Sequence, residues 1–90
     1  MTASAIKISL NDIEPINWMS QKPTGWFCLM MHDAITLKAV DGLPTGDKHD
    51  EASVNECAKR TRFGSDKYLV VVVNHEGKAT AIYQEGEKIA

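Results

Sequence analysis

The sequence predicts a small α+β fold: an antiparallel sheet of about four or five strands, one main helix over residues 50–63 packed on one face, and a short helix near the N-terminus. Three observations lead there. Residues 69–73 are five consecutive aliphatic side chains, four of them valine, and β-branched side chains pack well on a pleated surface but lose rotamer freedom in a helix. Asn74-His75-Glu76-Gly77 follows at once as a hairpin turn, and residues 50–63 carry an apolar stripe at helical spacing between a capping acid and a glycine.

Taken in order, residues 5–10 alternate weakly, because Ile6, Ser9 and Leu10 break strict period, and they read as a short strand at an edge. Asn11 or Asp12 can cap a helix in which Pro15 is tolerated in the first turn. Ile13, Ile16 and Met19 then follow helical spacing until Pro23 and Gly25 stop it. Trp18 lies inside this segment, where the ordinary role of a tryptophan is core or half-buried packing.

Residues 26–40, WFCLMMHDAITLKAV, satisfy two periods. Aromatics open the run and Ile-Thr-Leu-Lys-Ala-Val alternates, which favours two strands, 25–31 and 34–40, turning at His32-Asp33. Phe27, Met30, Met31, Ala34, Ile35 and Lys38 also fit a single helix, and neither turn residue is the glycine that two-residue hairpins prefer. Residues 41–49 contain Gly42, Pro44 and Gly46 and read as the longest loop. Asp47 or Asp50 caps the main helix. Val54, Cys57, Ala58 and Thr61 face inward and Asn55, Glu56, Lys59 and Arg60 face water, with the end at Gly64. Asp50 and Glu51 at its start and Lys59, Arg60 and Arg62 at its end complement the helix dipole.

The valine-rich strand places Tyr68, Val70 and Val72 on one face and Leu69, Val71 and Val73 on the other. Apolar faces on both sides put it in the middle of the sheet. Gly77 supplies the positive φ its turn needs. The returning strand, 78–84, sets Lys78, Thr80, Ile82 and Gln84 against Ala79, Ala81 and Tyr83, mixed faces that suit a position nearer the edge. The tail carries a Glu85-Gly86 turn signal and a few residues able to pair.

Composition narrows the function classes. Ninety residues, 1–90, make one domain, with 43% apolar and 24% charged residues, ordinary for a folded soluble protein. A net charge of −2, from 12 acids and 10 bases spread along the chain, argues against a nucleic-acid partner. No apolar run is long enough for a signal peptide or a membrane span. Cys28 and Cys57 lack CxxC spacing, so two reduced thiols in a cytosolic (cytoplasmic) protein are expected.

Each histidine precedes an acid: His32-Asp33, His49-Asp50 and His75-Glu76. Imidazole and carboxylate are competent zinc ligands, but metal sites usually draw two ligands from one element, and these pairs fall in three separate turns. They are weak metal candidates. Residues 42–48, GLPTGDK, depart from a phosphate loop by one residue between the glycines and by Asp47, which repels phosphate. No serine stands in a GxSxG setting, and Cys28 and Cys57 are placed for burial, where thiols are inert. Glu14, Asp33 and Glu76 are carboxylates with no sequence reason to converge. No cofactor is expected.

With apolar residues on both sheet faces, one helix cannot cover everything, and the remainder must meet the short helix or another chain. The expected function is a small non-enzymatic interaction module, a stoichiometric inhibitor or accessory protein that binds a larger protein or forms a homodimer. Inhibitors encoded by phages and mobile elements are the base-rate example. Trp18, Trp26, Lys59, Arg60 and Arg62 are the contact candidates. The alternative is a small enzyme or ligand-binding domain using the loop histidines and acids, with or without a metal.

Overall fold

The computed structural model describes residues 8–61 and 67–90. In chain order they form two 3-10 turns, Leu10–Asp12 and Asn17–Gln21, then strands β1 (Phe27–Asp33) and β2 (Ala39–Leu43), helix α1 (Glu51–Arg60), and strands β3 (Tyr68–Asn74), β4 (Ala79–Gln84) and β5 (Glu87–Lys88). The five strands make one antiparallel sheet in the order β2-β1-β3-β4-β5. This is the α+β fold the sequence predicts, with one main helix on one face.

The valine run is the centre of it. β3 pairs with β1 without interruption from Phe27↔Asn74 to Asp33↔Tyr68, and its five aliphatic residues are all buried. On one face Val70 and Val72, with Leu29, Ala81 and Tyr83, meet Val54 and Ala58 of α1. On the other, Leu69, Val71 and Val73 join Met30, Ile82, Ile13 and Met19. The second face is therefore closed by the N-terminal segment of the same chain, and the bare surface that argued for a partner is covered.

That segment differs from its sequence reading. Of the strand expected over 5–10, positions 5–7 lie outside the described residues and Leu10 is in a 3-10 turn. Local bonds win here: the Ser9 amide donates to Asp12 Oδ2 at 2.9 Å and the Asp12 amide donates to Ser9 O at 3.0 Å, which closes a turn and withholds those donors from a ladder. The expected short helix is two 3-10 turns separated by extended backbone at Ile13 and Ile16. Pro15 has no amide to give a helix, and the Ile16 amide goes to Gly77 O at 2.8 Å.

The β1–β2 hairpin replaces the competing helix, but its turn is displaced. His32 and Asp33 finish β1, and the reversal runs over 34–38. Asp33 Oδ1 accepts from the amides of Ile35 and Thr36, both at 2.8 Å, and the Leu37 amide returns to Asp33 O at 2.8 Å. One aspartate thus organises a wider turn, an arrangement that strand alternation cannot reveal. β2 consequently takes Asp41–Leu43 from the stretch read as the longest loop.

α1 starts where expected, with Asp50 accepting the Ser53 amide at 3.0 Å. It ends earlier than expected, at Arg60: Thr61, read as an inward helical residue, is an extended C-cap whose amide donates to Cys57 O, and residues 62–64 lie outside the described residues. Asn55, assigned to the wet face, is half-buried because its Oδ1 accepts from Tyr83 Oη at 2.7 Å. The returning strand β4 also departs from simple alternation: Val72 pairs with Ala81 but Val73 pairs with Ala79, so Thr80 is an extra residue. This bulge turns Ala79 toward the face of Ile82 instead of that of Ala81 and Tyr83. Glu85 and Gly86, both at positive φ, make the tight turn into β5.

Candidate interaction surface

The second 3-10 turn has a buried side and a presented side. Met19 is completely buried and its Sδ lies 3.8 Å from Cys28 Sγ, while the preceding residue, Trp18, is 55% exposed. The turn is held along its length. Ile16 N–H is tied to Gly77 O at 2.8 Å, Met19 N–H donates to Ile16 O at 3.1 Å, Ser20 Oγ donates to Asn17 O at 2.7 Å, and Lys22 N–H donates to Met19 O at 2.9 Å. Trp18 is thus a solvent-facing indole on an anchored backbone, not the core residue the sequence suggested.

Four residues on, Lys22 reaches Trp26, with Nζ 5.0 Å from the ring centroid. Trp26 is half-buried and stacks on His49, with centroids 3.6 Å apart and planes 13° from parallel. Backbone pairing positions that imidazole: the Phe27 amide donates to His49 O at 2.7 Å, and His49 Nδ1 lies 3.3 Å from Phe27 O. Lys22, Trp26 and His49 therefore form a run of one cation and two rings at the start of β1, with Trp18 presented four residues before Lys22 in the chain. Burial pushes the nearby Cys28 thiol up, and Lys22 offsets this only in part, so Cys28 is a protonated thiol beneath the patch. Both cysteines are free.

The remaining candidates are scattered. Lys59 and Arg60 are exposed on the last turn of α1, where Lys59 Nζ lies 3.3 Å from Glu56 Oε2, and Arg62 lies outside the described residues. His32 is buried in the sheet, His49 is stacked on Trp26, and His75 is half-buried in the β3–β4 turn. Among the described residues no three His, Cys, Asp or Glu side chains come together to hold a metal. A shallow groove of about 230 Å³, lined by Leu10, Asn11, Ile13, Pro15, Lys78 and Ala79, is smaller than the roughly 300–1,000 Å³ of ligand pockets.

Two features escaped the sequence. The Trp26–His49 stack joins positions far apart in the chain, and only the return of the β2–α1 connection to the edge of β1 brings them together. The exposure of Ile35 and Val40 was not foreseen either: Ile35 falls in the Asp33 turn, not in the strand expected over 34–40, and Val40 lies on the outermost strand β2. No helix among the described residues is long and apolar enough to cross a membrane. Searches of protein-family models, curated proteins and solved structures find no match to this chain.

Proposed function

We propose that this chain is a small non-enzymatic interaction module, a stoichiometric inhibitor or accessory protein that docks on a larger protein through Trp18 and the flanking Lys22, Trp26 and His49. The observation that carries the reading is Trp18 itself, more than half exposed on a turn anchored by the fully buried Met19. Tryptophan combines a large apolar face with an N–H donor and is enriched among residues that dominate binding energy. An anchored backbone reduces the ordering cost that binding must overcome. Lys22, four residues on in the chain, and the Trp26–His49 stack supply further cationic and aromatic groups.

The test compares the wild-type chain with Trp18→Ala in affinity purification from the source cell, quantified by mass spectrometry and repeated with purified components. The expected result is a partner held at one-to-one stoichiometry by the wild type and weakened at least tenfold by Trp18→Ala, about 1.4 kcal/mol, with an unchanged melting temperature. A partner retained equally by the variant would move the contact elsewhere. A wild-type chain with no stoichiometric partner would end the proposal.

A further inference from the structure

His32 is the buried polar side chain of the described core, only 1% exposed. Its register partners are Leu69 on β3 and Ala39 on β2, and alternation along β1 places it on the face of Cys28 and Met30. Its Nδ1 is buried with no hydrogen-bond partner among the described residues. A neutral imidazole can leave that nitrogen as an unprotonated acceptor. An imidazolium puts a charge in an apolar layer, against which the Met30 backbone offers only a weaker, partial compensation.

Among the described residues no ion pair reaches the ring. The N-terminal segment turns Ile8, Leu10, Ile13, Ile16 and Met19 to this face, whereas Asp12 and Glu14 are exposed and Lys22 lies over Trp26. Asp33 and Tyr68 pair with each other one step along the ladder, on the opposite face, and the Lys38 carbonyl bonds the Asp33 amide there. The titratable group on the same face of β1 is the Cys28 thiol, which burial keeps protonated and neutral. Burial likewise holds the His32 imidazole below its ordinary value, with the Met30 backbone acting more weakly in the other direction.

The position is also mechanically weak. The β1–β2 register shifts between Met31 and His32, Leu37 in the following turn is held at φ 62, and β2 is the outermost strand with four of its five residues exposed. We propose that His32 is an acid-released latch on the β1–β2 hairpin: the neutral ring holds the end of β1 in the core, and its protonation frees the turn and the edge strand while β3 and β4 stay paired. Mild acid would then loosen the segment that carries the exposed Ile35 and Val40.

The test is residue-resolved hydrogen exchange on the full chain at about pH 7 and about pH 5, corrected for intrinsic rates, together with NMR titration of the imidazole nitrogens. The expected result is that the Asp33 and Leu37 amides, bonded to Lys38 O and Asp33 O, lose about tenfold in protection relative to Val71 and Ile82 as the ring takes up its proton. His32→Leu should abolish this differential. If that variant does not fold, the wild-type chain still decides: no selective loss at Asp33 and Leu37 between the two pH values, or equal loss across all strands, overturns the latch.

Discussion

Gly77 shows how much one position can carry. The sequence assigns it a positive φ, and its φ is +83, as the hairpin demands. The structure adds that a Cβ there would run into the backbone of Ile16, whose amide is tied to Gly77 O, so the glycine is also the docking point of the N-terminal segment. Gly77→Val should cost about 2–4 kcal/mol in chemical denaturation, from the left-handed backbone and from the lost approach together. Asp33 and Asp50 have a subtler role. Amide donors, Thr36 and then Ile35 for Asp33 and Ser53 for Asp50, hold both carboxyls below the ordinary 3.8. The unfolded chain therefore takes up protons first on acidification. The stability these groups confer is present above 3.8 and is lost as pH falls through it toward the folded values. Asp50→Asn keeps a capping acceptor but removes the titration, so its melting temperature should fall less than that of the wild type between about pH 5 and about pH 3.

Among the described residues, helix and strand meet through one polar tie in an otherwise apolar layer. Val54 and Ala58 pack on the sheet, and Tyr83 Oη donates to Asn55 at 2.7 Å from a ring that is almost wholly buried. Tyr83→Phe keeps the packing and loses the bond, so it should destabilise by about 0.5–1.5 kcal/mol without altering the sheet. An unchanged denaturation midpoint would show that water replaces the bond at no cost. The N-terminal segment has no long helix: Ile13 and Met19 secure it by burial between extended stretches, and the Ile16 amide ties it to Gly77 O.

The molecule is a sheet closed on both faces by different means, a helix on one and two short turns on the other. Closure by turns depends on few side chains. Ile13→Asp should cost at least about 3 kcal/mol and, if the chain remains compact, increase binding of a hydrophobic dye, because the carboxylate cannot stay against Val71 and Val73. Unaltered stability with no added dye binding would mean that the segment contributes little to that face. The reading as an interaction module consequently rests on Trp18, and no longer on an open sheet face.

What the sequence determined by itself is what neighbouring residues enforce. Four valines in Leu69–Val73 make a strand with two apolar faces, Gly77 makes its turn, and Asp50 with the Val54 and Ala58 stripe makes the helix, because rotamer limits, positive φ and side-chain period act within a few residues. The tertiary structure alone decided the rest. Whether Trp18 faces water, whether His32 is buried, which face Ala79 takes past the Thr80 bulge, and that His49 lies on Trp26 all depend on contacts between distant segments. Burial belongs to those contacts, and an indole or imidazole has the same local sequence whether or not another part of the chain comes to cover it.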